Sequence, residues 1–288
     1  RDLFEKYVPE KLITETHINP WRWDMACINT GYRQYCLDQI TELSLTYDFD
    51  TLFLDIFAIT HDFFLKVCYC PSCLEEYSKQ GLDPYSHDTK MRFALIKYWW
   101  NNWGNLLRDI KQILHKNKPG TGISINGNPL QIAWEVLQNV DWPYSEGAQN
   151  PHNSVILRSL GLNNPQCGIS PGQNVYDTWP PNLARIWTST VLAHGNRTFF
   201  FFMHGRLGDG SFEKSKYAIL HDINKEVTNI QPYVKNANPI KTVAVYYNES
   251  TTIEAGTHNN ASQQENNISS VINTFRSIST PCELLPDW

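Results

Sequence analysis

The chain has no excess of positive charge: 24 Lys and Arg stand against 29 Asp and Glu over 288 residues, a formal net charge of −5. A nucleic-acid surface needs clustered cations to displace counterions, so that class of partner is excluded. Charged residues make up only 18 % of the chain and hydrophobics 41 %, which is not the balance of a disordered, charge-solvated segment. Long apolar runs are also missing. The longest, Phe199 to Met203, falls far short of the roughly 20 residues that span a bilayer, so no transmembrane helix and no membrane partner are expected. The sequence holds no G-x-G-x-x-G, Walker loop, H-E-x-x-H or G-x-S-x-G, which removes the usual support for nucleotide-binding, zinc-protease and serine-hydrolase chemistry. It has no initiating Met and no basic segment followed by an apolar one at its start, and it stops at LLPDW as a strand begins; it reads as a fragment. Four Asn-x-Ser/Thr sequons, at Asn196, Asn248, Asn260 and Asn267, are no more than an Asn-rich chain carries by chance.

What is abundant is aromatic. Ten Trp, 14 Tyr and 13 Phe supply a packed core first and sugar-stacking platforms second. Short β-rich runs alternate with helical patterns, the mark of parallel βα units. Leu12 to Ile18, Thr51 to Phe57, Gly122 to Asn126, Val140 to Ser145, Cys167 to Ser170 and Arg197 to Met203 are six expected parallel strands. One helix between the first two carries Leu37, Ile40, Leu43 and Tyr47. A longer one carries Phe93, Ile96, Trp100, Trp103, Leu107, Ile110 and Leu114 in one stripe and stops at Lys118-Pro119-Gly120. A helix from about Phe212 to Tyr233 leads to an Asn-rich, proline-closed linker at Lys235 to Pro239, the clearest boundary in the chain. Beyond it Lys241 to Tyr247 reads as a strand, Asn259 to Asn267 as a loop, Ser269 to Ser279 as a helix and CELL as a strand, the opening of a second α/β domain. The expected domains are 1–236 and 237–288.

Asp55 ends an apolar strand, and the C-terminal mouth of parallel strands is where a (β/α) barrel gathers its catalytic groups. The bland alternative is a cap for the next helix. Glu146 closes VDWPYSEG in a similar position beside Trp142 and Tyr144, or else serves as an acidic residue at a helix N-terminus. Two carboxylates on different strands are what glycoside hydrolysis requires, although Asp62, Glu135, Asp141, Asp177 and Asp209 compete for either place. Cys68, Cys70 and Cys73 lie within six residues in a chain with seven cysteines. Such a loop can turn several thiolates toward one zinc, with Cys27, Cys36, His61 or His87 as the fourth ligand; a disulfide or free thiols are the alternatives. His17, His61 and His204 lie near strand ends and could grip a sugar or simply pack. Trp21, Trp23 and Trp179 follow expected strands, where an indole stacks on a sugar ring or joins the core.

The order of these segments resembles a known group. INPWRW followed by YRQYCLDQITELSLTYDFDTLFLD resembles the corresponding progression of the glycoside hydrolase family 29 α-L-fucosidases, and more closely the hypothetical glycosyl hydrolase 6 group and family 151. The segment Cys27-Ile28-Asn29-Thr30-Gly31-Tyr32-Arg33 and the Cys68 to Cys73 segment are similar to ones that flank the same strand in that group. GNRTFFFFMHGRLGDGS resembles a last barrel strand and its turn, while PYVKNANPIKTVAVYYNEST and INTFRSISTPCELLPDW resemble the entry to the flavodoxin-like trimerisation domain of family 42 β-galactosidases.

The resemblance implies a partial (β/α)8 TIM barrel, strands three to eight, followed by the start of a flavodoxin-like α/β domain. It implies a retaining glycosidase, α-L-fucosidase-like, acting on an oligosaccharide, polysaccharide or glycoconjugate, with a family 42-like β-galactosidase and an inactive carbohydrate-binding or assembly protein as alternatives. It makes Asp55 the nucleophile and Glu146 the acid/base. It assigns sugar contacts to His17, Trp21, Trp23, His61, Trp142, Tyr144 and His204. It adds Cys27 to Cys68, Cys70 and Cys73 as ligands of a structural zinc, with no cofactor for catalysis, and it implies a homotrimer for the longer parent. Two departures stand out: Ile56 follows Asp55 where that pattern has Gly, and no Asn-Glu pair of the family 42 kind ends the same strand.

Overall fold

The computed structural model describes residues 26–55, 57, 68–126, 130, 132–146, 151–160, 166–169, 180–200, 211, 214–235, 237, 240–248, 251 and 261–287. The expected strand at Leu12 to Ile18 lies outside them. Helix α1 (Gly31–Thr46) leads into strand β1 (Thr51–Leu54), followed by α2 (Pro71–Lys79) and the long α3 (Thr89–Asn117). Strand β2 (Gly122–Ile125), the short α4 (Trp134–Leu137), β3 (Tyr144–Glu146), α5 (Pro151–Ser159), β4 (Gln166–Ile169), α6 (Pro181–Ala193) and β5 (Arg197–Phe200) continue the alternation. Helix α7 (Lys214–Val234) then precedes β6 (Val243–Tyr247), α8 (Ala261–Ser277) and β7 (Cys282–Pro286).

Every strand pair is parallel. β1 pairs with β2, β4 lies between β3 and β5, and β6 pairs with β7. The segment entering β3 joins the first two groups, because the amides of Asp141 and Trp142 both donate to the Ile123 carbonyl. Among the described residues these strands form a βα succession without closing a barrel. No described helix is long and apolar enough to cross a membrane.

The core is built on α3. Asp88 caps its first turn by accepting from the Met91 amide, and Ile96, Trp100, Leu107, Ile110 and Leu114 are buried along one stripe against Ile123, Ile125, Val136 and Leu137. The stripe read from the sequence is thus the buried one. Gly104 permits the close approach of α3 and α4: a Cβ there would stand 2.2 Å from the Glu135 carbonyl oxygen. Helix α1 differs from expectation. Ile40 is buried and Leu37 packs against the core, but Leu43 and Tyr47 are exposed, and Ser44 takes the inward position by accepting from the Asn117 side chain.

Strand β1 stops at Leu54, with Asp55 already in a turn. Val140 to Pro143 run into β3 rather than forming its body, because Asp141 turns back to accept from the Ile123 amide. The Asn/Gln-rich segment is helical from Ala261 onward, correcting the expected loop. Its polar residues continue the helix whose apolar positions, Ile268, Ile272 and Phe275, pack with Val245, Tyr247 and Leu284. That second cluster includes Val155 and Ile156, so α5 lies against the segment following the linker; the Ser159 hydroxyl accepts from the Leu284 amide at 2.8 Å.

Candidate functional site

With the strands parallel, their C-terminal ends share one side. Asp55 follows directly on β1, in a turn and exposed, and Glu146 is the last residue of β3, in register with Gly168 of β4. Register also explains what faces Asp55. Leu54 pairs with Ile125, the Asn126 amide donates to the Leu54 carbonyl, and the Asn126 side chain is left beside the residue after Leu54. Its Nδ2 donates to Asp55 Oδ1 at 2.8 Å. One carboxylate oxygen is thereby fixed by a neighbouring strand end.

Two of the competing carboxylates are engaged elsewhere. Glu135 accepts from Lys97 at 2.7 Å on the face between α3 and α4, and Asp141 holds the Ile123 amide and Lys111 near the start of β2. Asp62, Asp177 and Asp209 lie outside the described residues, as do His17, Trp21, Trp23, His61, Trp179 and His204, whereas His87, weighed above as a zinc ligand, is described, exposed and not grouped with the cysteines. The two described aromatics assigned to the sugar sit differently from that assignment. Tyr144 is buried, its ring edge-on to Phe53 with centroids 5.2 Å apart. The Trp142 indole lies over Gly122, where a Cβ would stand 3.1 Å from the ring, and Gly122 begins β2 at the end opposite Asn126. Both are placed to pack.

The cysteines form a second constellation. The Sγ atoms of Cys27, Cys68, Cys70 and Cys73 all lie within 4.8 Å of one another. Local structure brings them there. Thr30 caps α1 and its hydroxyl donates to the Cys27 carbonyl, which fixes the turn before that helix; Cys70 is the N-cap of α2, with Pro71 opening it, and Cys73 faces inward, fully buried. Asn29 completes the shell, with its amide donating to Cys27 Sγ and its side chain to Cys73 Sγ, each at 3.4 Å. Below lie Tyr77, Tyr98 and Trp99, whose indole donates to the Tyr77 hydroxyl at 2.7 Å.

The thiols are free, and Cys27 and Cys73, with sulfurs 3.3 Å apart, are well beyond the roughly 2.05 Å of a disulfide. Cys68 is drawn down to about 2 by the hydrogen bonds of Cys27 and Cys73, while Cys27 is pushed up to about 12 by its contact with Cys68, and Cys73 is pushed up by Cys27 and Cys68. Four sulfurs around a tetrahedral zinc at about 2.3 Å stand about 3.8 Å apart, so the donor set and its spacing fit a closed zinc site. Cys36, the other cysteine weighed as fourth ligand, is not in the group. Apart from the four cysteines no trio of His, Cys, Asp or Glu among the described residues is spaced for a metal.

No protein-family model matches the chain, and no curated protein does. Solved structures do. It is similar to α-L-fucosidase isoenzyme 2 from Paenibacillus thiaminolyticus, at 22 % identity over 77 % of this chain and 33 % of that one, with a TM-score of 0.60. It is similar to a polyextremophilic β-galactosidase from the Antarctic haloarchaeon Halorubrum lacusprofundi, at 14 % identity over 97 % of this chain and 55 % of that one, TM-score 0.71. A β-galactosidase from Bacillus circulans sp. alkalophilus gives 13 % identity, 91 % and 49 % coverage and a TM-score of 0.70. These likenesses show a fold shared with glycoside hydrolases, and the chain spans between a third and about half of the length of these neighbours.

Proposed function

We propose that the chain is the larger part of the barrel of a retaining glycoside hydrolase, α-L-fucosidase-like, with residues from 237 onward opening a trimerisation-type domain. The observation that carries this reading is the pair of carboxylate residues at the C-terminal ends of parallel strands, Asp55 after β1 and Glu146 at the end of β3, with Asp55 oriented by Asn126. In a retaining mechanism the Asp55 carboxylate attacks the anomeric carbon while Glu146 protonates the departing oxygen. Glu146 then deprotonates the water that hydrolyses the glycosyl ester.

A second reading, a family 42-like β-galactosidase, is supported by the longer coverage and higher TM-scores of the β-galactosidases. Against it stands the sequence Leu54-Asp55-Ile56, which offers no Asn-Glu pair at that strand end. A structural zinc held by Cys27, Cys68, Cys70 and Cys73 belongs to either reading. It would tie the segment before α1 to the start of α2, and four sulfur ligands leave no open position for a reacting water.

The test is hydrolysis of a panel of nitrophenyl glycosides by the protein and its Asp55→Asn variant. Cleavage of the α-L-fucoside that is lost in the variant supports the reading. Cleavage of the β-galactoside alone moves it to the second, and activity that survives Asp55→Asn removes Asp55 as nucleophile.

A further inference from the structure

A cavity of about 390 Å³ lies where α5 and the end of α6 meet the strands that follow the linker. It is far from the rim that carries Asp55 in sequence and is built of different elements. Its walls include Arg158 of α5, Arg276 of α8, Lys241 before β6, His194 after α6 and Glu283 of β7. Three cations therefore face one carboxylate in a chain whose overall charge is negative.

That carboxylate is already engaged. Glu283 pairs with Lys241 at 2.6 Å, while no carboxylate stands within ion-pair distance of Arg158 or Arg276 among the described residues. Each guanidinium is instead held by neutral acceptors. Arg158 donates to the His194 carbonyl at 3.0 Å, and Arg276 to the Asn273 side chain at 3.3 Å. The backbone makes room for the first: Gly195, at φ +77°, lies under the Arg158 guanidinium, and a Cβ there would stand 3.4 Å from Nη1. Both arginines are half-buried, and burial shifts both below the ordinary guanidinium value. Glu283 attracts Arg158 at longer range, but it is already paired with Lys241, so an anion entering the cavity would supply negative charge that the two partly desolvated guanidiniums otherwise share with Lys241. Arginine's planar fork is suited to an oxyanion with two or more oxygens.

We propose that this cavity is a binding site for an oxyanion-bearing small molecule, a phosphate or carboxylate attached to a body of metabolite size, held between Arg158 and Arg276. The volume is at the small end of ligand sites and suits a single sugar- or acid-sized ligand. Val155 and Ile240 supply an apolar wall for the body of such a ligand. Since the site joins α5 to β7 and α8, its occupancy would brace the barrel portion against the segment that follows.

The experiment is thermal unfolding of the protein at low ionic strength, titrated with inorganic phosphate and separately with malonate, against chloride at matched ionic strength. The expected result is a saturable rise in unfolding temperature with one of the two anions that chloride does not reproduce and that Arg276→Gln abolishes. Phosphate as the stronger probe assigns a phosphoryl ligand, malonate a carboxylate one. In the absence of either anion Arg276→Gln is expected to unfold at about the temperature of the parent, since it gives up only an exposed hydrogen bond to Asn273, and this separates lost binding from lost folding. Should that variant not fold, Lys241→Gln, at an exposed position on the same wall, takes its place and is expected to weaken the response at least threefold. No saturable response to either anion, or an equal response in the variant, overturns the proposal.

Discussion

The side chain of Asn126 donates to Asp55 across 2.8 Å, from the end of one parallel strand to the end of its neighbour. The contact fixes one carboxylate oxygen. Replacing Asn126 by Ala removes a donor from a charged acceptor, an interaction worth about 1.5–3 kcal/mol. If Asp55 is the nucleophile, Asn126→Ala is expected to lower kcat about 10-fold to 100-fold with a smaller change in KM. Asn126→Gln tests the position: its longer side chain keeps the donor but misplaces it. An unchanged kcat in Asn126→Ala would mean that the bond only braces the strand ends.

The four cysteines predict a metal. Protein prepared with zinc available should hold about one zinc per chain, and Cys73→Ser should lose it, since Cys73 is buried at the centre of the cluster. Chelation should lower the unfolding temperature and release all four thiols to a thiol reagent together. Metal analysis beside thiol titration checks both; a chain without stoichiometric zinc whose unfolding ignores the chelator removes the site.

Gly104 predicts a stability loss with no chemistry in it. A methyl group at that position would meet the Glu135 carbonyl at 2.2 Å, and backbone cannot swing aside as a side chain does. Asn139, which donates to the Glu135 carbonyl at 2.9 Å, ties α4 in place from the other side. Gly104→Ala should therefore cost about 2–3 kcal/mol even though Ala is the better helix former, and lower the unfolding temperature by several degrees. A variant as stable as the parent would mean that α3 and α4 separate without cost.

Local patterns in the chain carried much of this. The stripe from Phe93 to Leu114 is written at helical spacing, and one face of α3 must be buried, so the core was legible. The cysteine loop was legible because its three thiols are close in sequence; Cys27, 46 residues before Cys73, stood among four candidate partners and was chosen over the others only through resemblance. Asn126 was missed as a functional residue because its contact depends on the register of β1 against β2, which no single strand encodes. The only signal was its place at the end of GISIN. Trp142 and Tyr144 show the converse limit: an aromatic beside a strand end looks the same in sequence whether its ring meets a sugar, a glycine or another ring. The Asn/Gln-rich stretch was read from composition, yet polar residues extend a helix freely once Ile268, Ile272 and Phe275 anchor its far half.

His194 gives the chain a pH dependence near neutrality. Burial lowers its pKa, and the nearby charges of Arg276 and Arg158 lower it further, against a hydrogen bond to the Thr190 carbonyl that works the other way. The folded protein therefore holds the imidazole neutral where the unfolded chain, with a value of about 6.5, takes up a proton. The stabilising contribution is whole above about pH 6.5 and declines as the pH falls from there through the lowered folded-state value. Asp48, held below the usual carboxylate range by Lys118, loses its contribution only in the more acidic range, so the two windows separate. Denaturant unfolding between pH 8 and pH 5, in a buffer free of phosphate, should show stability falling below about pH 6.5. His194→Gln should flatten that fall while leaving the acidic one. An anion bound between Arg158 and Arg276 would neutralise the charges that disfavour the imidazolium, so saturating phosphate should shrink the same slope in the parent. A parent profile that is flat from pH 8 to pH 5 would show that His194 titrates alike in the folded and unfolded chain.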